Sequence, residues 1–99
     1  MLTINKTDIF DNWLVTLKDL KARTRIATRI KNAENGNFGD HKSVGAGVYE
    51  MRVDVGAGYR VYYYQQASVV YLLMMGGDKT TQRADIAEAI KMKKRILEE

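Results

Sequence analysis

The sequence predicts an α+β domain: an N-terminal helical hairpin packed on a small, twisted antiparallel β-sheet, with a helix at the C-terminus. Three observations predict it. Apolar residues recur at helical spacing up to residue 34, the period becomes two after Gly47, and a helical pattern returns from about Gln82. A chain of 99 residues buries enough surface for one core, so residues 1–99 are read as a single domain.

Residues 2–5, LTIN, fit a short strand. Thr7 or Asp8 then suits a helix N-cap, and Asp8 and Asp11 suit the positive end of the helix dipole. Phe10, Trp13, Leu14, Leu17 and Leu20 form the apolar stripe of this first helix. A second stripe follows in Ala22, Ile26, Ile30 and Ala33, with Arg23, Arg25, Arg29 and Lys31 largely off it. NGNFG at 35–39 supplies a left-handed stop, ending the second helix near Glu34. In VYEMRVDV, Tyr49, Met51, Val53 and Val55 point to the core and Glu50, Arg52 and Asp54 away from it. Gly56, Ala57 and Gly58 read as a hairpin turn. The next strand sets Tyr59, Val61 and Tyr63 against Arg60, Tyr62 and Tyr64 on the opposite face. VVYLLMM at 69–75 is apolar on both faces, as a central strand is, and a GGDK turn leads into the last helix.

Register decides what shares the second face. Pairing Val55 with Tyr59 places Arg60 opposite Asp54, Arg52 opposite Tyr62 and Glu50 opposite Tyr64, which matches unlike partners. A slip of two residues would set Arg52 against Arg60 and would need an anion between them. In either register Tyr62 and Tyr64 lie with Arg52 and Arg60. Such a face, if open, suits phosphate oxygens and stacked bases; the other reading is that the C-terminal helix covers it.

The net charge is +4, with seven basic and five acidic groups in residues 1–40 and six against four in residues 79–99. That balance favours a polyanion or an acidic partner. No apolar run approaches the roughly 18 residues of a membrane span. The start, MLTINKTDIF, lacks the regions of a signal peptide, and there is no cysteine, so the expected location is cytoplasmic.

Three stretches carry a resemblance: the hairpin FDNWLVTLKDLKARTRIATRI, the run GNFGDHKSVGAGVYEMRVDVGAGYRVYY, and LLMMGGDKTTQRADIAEA. Together they resemble the RelE/ParE superfamily of small toxins from type II toxin–antitoxin modules, and within it the phage Gp49-like or HigB-like group of addiction module killer proteins. The likeness covers nearly the whole chain. It implies two N-terminal helices on a twisted antiparallel sheet. It also implies a cognate antitoxin, commonly of helix-turn-helix type, and no cofactor. RelE-like members cut messenger RNA in the ribosomal A site without a metal; ParE-like members instead poison DNA gyrase, and some relatives have lost toxicity. Fold alone does not choose among these.

Cleavage by the ribose 2′-hydroxyl needs a proton removed, the phosphorane charge stabilised and the 5′-oxygen protonated. With no cysteine, one histidine and no ligand-like carboxylate spacing, the inventory fits a metal-free mechanism based on cations. By the resemblance, Arg60 in GYR matches the strand arginine that contacts the scissile phosphate. Arg52 matches a neighbouring basic position, and Lys79 matches another functional cation. The position that carries a lysine in RelE is Glu50 here, and the C-terminal tyrosine is replaced near Asp85. The candidate catalytic residues are thus Arg60, Lys79 and Glu50. The candidate RNA-binding residues are Arg52, Lys42, Tyr62, Tyr64 and Gln82. Glu50, Lys42, His41 and Tyr62 are candidates for proton transfer. Arg60 has an alternative role in an ion pair with Asp54 or Glu50, and Gln82 in capping the last helix. On that helix Ile86, Ala89, Ile90 and Leu97 form one stripe with Met92 and Ile96 beside it, either a partner surface or one broad buried face.

Overall fold

The computed structural model describes residues 1–77 and 79–98; Asp78 of the expected GGDK turn and Glu99 at the chain end lie outside the described residues. The order is β1 (Thr3–Lys6), α1 (Asp8–Thr16), α2 (Leu20–Glu34), β2 (His41–Gly45), β3 (Val48–Val53), β4 (Tyr59–Gln66), β5 (Val69–Gly76) and α3 (Gln82–Glu98). The strands form one sheet in the order β1-β5-β4-β3-β2. This is the α+β arrangement the periodicities predict, with α1 and α2 on one face and α3 on the other. Among the described residues, no helix is long and apolar enough to cross a membrane.

Capping sets the helix ends. The Thr7 side chain accepts from Phe10 N and the Asp19 side chain from Ala22 N, each cap contributing about 1 kcal/mol. Phe10 is fully buried, as are Ala22, Ile26 and Ala33, but Leu20 is 72% exposed. The expected first stripe therefore ends at Leu17, because α1 stops at Thr16 and Leu20 already begins α2 on its outer side. The core on this face gathers Phe10, Ile26, Ile30, Met51, Val53, Val61, Tyr63, Val70, Leu72 and Met75.

The sheet differs from expectation in two ways. It is mixed, since β1 runs parallel to β5, Thr3 beside Val69 and Lys6 beside Leu72, while the remaining pairs are antiparallel. An apolar β5 needs a neighbour on each edge. β1 supplies the second, held by Thr3 N to Ser68 O at 2.8 Å and Thr7 Oγ1 to Leu73 O at 2.7 Å. The second difference is β2, an edge strand where no period-two pattern is legible; His41, Lys42 and Ser43 are all exposed.

α3 covers the face that carries Val48, Tyr62, Tyr64 and Leu73, burying Ala89 and Met92 against them. Its buried face is broad, with Ile86, Ile90 and Ile96 packed at its margins, whereas Leu97 is 52% exposed. A register shift in the β4–β5 ladder, where Tyr62 faces Met74 and Tyr63 faces Leu72, lets Leu73 and Met74 both turn to α3. Lys93 fastens the helix by donating to Ala46 O at 2.6 Å and lying 5.5 Å over the Tyr64 ring.

On the other face Arg29 acts as a clip. Its guanidinium donates to the carbonyls of Arg52 (2.6 Å), Phe38 (2.9 Å) and Asp40 (3.3 Å), joining α2 to the loop before β2 and to β3. Gly39, at φ 61°, lies so close that a Cβ there would stand 2.8 Å from Arg29 Nη2. Gly39→Ala is expected to destabilise the fold by about 1–3 kcal/mol, read as a lower urea midpoint with unchanged m-value. An unchanged midpoint would refute the clip.

Candidate functional site

The β3–β4 hairpin builds the site. Val53 pairs with Tyr59, so the connection is the five-residue loop Asp54–Gly58, closed by Gly58 N to Val55 O at 2.9 Å, with Gly56 at φ 57° and Gly58 at φ 87°. Left-handed backbone at two points lets glycine close this longer loop in place of the expected three-residue turn. Val55 consequently leaves the ladder, and the whole pairing slips by two residues from the register expected above. Arg52 stands opposite Arg60, and Glu50 opposite Tyr62.

The like charges are answered by one carboxylate each. Arg52 Nη2 reaches Asp40 Oδ1 at 3.2 Å on the exposed side. Arg60 Nε lies 3.5 Å from Glu50 Oε2, a charge contact without a hydrogen bond, with the Arg60 side chain 12% exposed and Glu50 fully buried. Of the two ion pairs weighed for Arg60, the one with Glu50 forms. Around these residues opens a cleft of about 510 Å³, lined by Arg52, Arg60 and Lys79, by Asp40 and Asp54, by Tyr59, and by the backbone at Gly58 and Gly77. Three cations thus converge on one concavity from β3, β4 and the segment after β5.

Glu50 is the hub beneath it. Gln82, the first residue of α3, donates from Nε2 to Glu50 Oε2 at 2.9 Å, and Tyr62 donates to the same oxygen at 3.2 Å. Gln82 is thereby a brace for Glu50 at the start of the helix, away from the cleft lining. Burial first, and then the charge of Glu50, hold the Tyr62 phenol well above its ordinary pKa. Tyr62 therefore stays protonated at neutral pH, with its hydroxyl donating to Glu50 and its side chain buried away from the cleft lining.

The two tyrosines assigned to base stacking are corrected. Tyr62 is 0% and Tyr64 2% exposed, because α3 lies over their face; neither ring can receive a base. Tyr64 instead stacks on Tyr71 at 4.8 Å, and its hydroxyl has no hydrogen-bond partner among the described residues. Tyr64→Phe is expected to be neutral or to stabilise by up to about 1 kcal/mol in thermal unfolding, since it removes an unmatched buried hydroxyl. A clear loss would reveal a partner for that group.

Lys42 pairs with Glu50 in the β2–β3 ladder and is exposed, and His41 is exposed on the same edge strand with Nδ1 2.8 Å from Gly39 O; neither lines the cleft. Asp40 and Tyr59 do line it, and neither stood among the candidates. A signal for Asp40 was available, because Arg52 against Arg60 demands an acid, and GDHK offers one just upstream of the strands.

A protein of Haemophilus influenzae, described as an uncharacterized protein, is 50% identical to the chain over 88 residues, which is 89% of each. The chain belongs to that protein's family. No protein-family model matches it. In this family member the chemistry on offer is that of a cleft lined by two guanidiniums and an ammonium for anionic oxygens beside the carboxylates of Asp40 and Asp54, with one guanidinium held from below by a buried carboxylate.

Proposed function

We propose that the chain is a type II toxin of the RelE/ParE superfamily, in its HigB-like or Gp49-like group, and that it cuts messenger RNA on the ribosome. The observation that supports this reading is the convergence of Arg52, Arg60 and Lys79 on one cleft. Attack of the ribose 2′-oxygen, whose proton passes to water, forms its bond to phosphorus and gives a phosphorane with added negative charge; the bond to the 5′-oxygen then breaks, and that oxygen takes a proton from the Lys79 ammonium, which water restores. Arg60 stabilises that charge, Arg52 holds an adjacent phosphate oxygen, and Lys79 at the open rim faces the leaving 5′-oxygen. Glu50, fully buried, works through Arg60 by fixing its guanidinium and so serves as a positioning residue. The reading brings with it a cognate antitoxin, of helix-turn-helix type, as partner.

Primer extension on a defined message in a reconstituted translation system tests the proposal. New 5′ ends that require both the protein and ribosomes support it. Intact message would reject the endonuclease reading and turn attention to inhibition of gyrase supercoiling, the ParE-like alternative.

A further inference from the structure

The cations of the cleft are only part of the basic surface. α2 carries Lys21, Arg23, Arg25, Arg29 and Lys31 against a single acid, Glu34. Arg29 is committed to the carbonyls described above. Lys21 and Arg25 are exposed, and among the described residues neither makes an ion pair or hydrogen bond. With Leu20, Thr24, Thr28 and Val55 they line a groove of about 400 Å³. The hydroxyls of Thr24 and Thr28 donate to Leu20 O at 3.0 Å and Thr24 O at 3.1 Å, which leaves Lys21 and Arg25 as the groove's free donors. Leu20 and Val55 give it an apolar wall.

The position of this groove gives it a meaning. Val55 belongs to the same loop whose Asp54 and Gly58 line the cleft. The loop is therefore a ridge with a cation-bearing depression on either side, the cleft side also carrying the carboxylates of Asp40 and Asp54. It is also fixed at the α2 end, because Asp19, which caps α2, lies against Gly56, its Oδ2 2.7 Å from where a Cβ would stand. A chain of regularly spaced phosphates crossing the ridge would meet cations on both flanks, whereas a compact anion could use only one.

We propose that the α2 groove is a second phosphate-binding subsite, taking the backbone of a single-stranded RNA that passes from the cleft over the 54–58 ridge. The strand's presence in the cleft rests on the RNA-cleaving reading; the groove's own binding does not. Two side chains there contact about two phosphates, and for a single strand each contact adds about 0.7 to the slope of log affinity against log salt.

The test is fluorescence anisotropy of the full chain with a labelled oligouridylate of about a dozen nucleotides, a length within the usual range of single-strand sites, titrated from about 50 to 200 mM salt. Lys21→Gln/Arg25→Gln is expected to weaken binding and flatten the slope by about 1.4. Lys91→Gln/Lys94→Gln, an equal loss of charge at exposed positions on α3, is expected to leave the slope unchanged. Circular dichroism confirms that each variant is folded. An unaltered slope in the α2 variant, or an equal change in the α3 control, overturns the subsite. Arg52→Gln separates the two readings. A response to Arg52→Gln alone keeps the cleft and removes the subsite, a response to the α2 variant alone removes the path through the cleft, and no binding by the unaltered protein removes both.

Discussion

Replacing Arg60 by alanine is expected to lower ribosome-dependent cleavage by about 10²–10³-fold, the usual consequence of deleting one preorganised donor to a developing charge. Arg60 is suited to that role by its fixity. It projects from a central strand, only 12% of its side chain is exposed, and Glu50 holds Nε from beneath. In the proposed reaction its reorganisation would therefore be small, whereas Arg52, 49% exposed, has freedom to lose. Arg52→Ala should accordingly cost less than Arg60→Ala in the same assay. Because Arg60→Ala also strips Glu50 of its cation, the rate must be corrected for folded fraction. Arg60→Lys, which keeps the charge and loses the fork, should recover folding more than cleavage. Cleavage by Arg60→Ala at the unaltered rate would place the chemistry elsewhere.

The second large effect is on stability. Glu50→Ala leaves a largely buried guanidinium without its carboxylate, and it removes the acceptor of Tyr62 and Gln82 together. A loss of about 3–5 kcal/mol is expected, seen as a marked fall in urea midpoint. Replacing both members at once, as Glu50→Leu/Arg60→Met, should recover most of that loss, since apolar side chains of similar volume avoid the desolvation cost of the pair. The double variant should nevertheless remain inactive in cleavage. Stability without activity in one protein would separate the pair's service to the site from its service to the fold. A single Glu50→Ala variant as stable as the parent would show that Arg60 does not depend on it.

The elements that could be read from sequence are those whose signal is local. Thr7 caps α1 through a contact three residues away, and Ala22, Ile26, Ile30 and Ala33 repeat at a spacing that only one face can bury. β2 was illegible because an edge strand with His41, Lys42 and Ser43 all exposed needs no alternation. The direction of β1 was equally hidden, since four residues can pair either way and the choice depends on a partner far along the chain. Period two placed Arg52, Arg60, Tyr62 and Tyr64 on one face. It could not say that α3 stops short of the arginines and lies on the tyrosines, which is why half of the expected site is a cleft and the other half is core. The register misled because unlike charges were matched within the hairpin, whereas one of the carboxylates that satisfy it, Asp40, comes from outside.

The parallel pairing of β1 with β5 also sets an order in time. Thr3 finds its place only beside Val69, so β1, which precedes the other four strands of the sheet in sequence, is among the last to be docked. At about 5–20 residues per second, a separation of this kind leaves β1 waiting several seconds for its partner. Gly77, Lys79 and the α3 brace on Glu50 arrive later still. On the function proposed above, a nascent chain from which Gly77, Lys79 and Gln82 have not yet emerged carries no complete cleft.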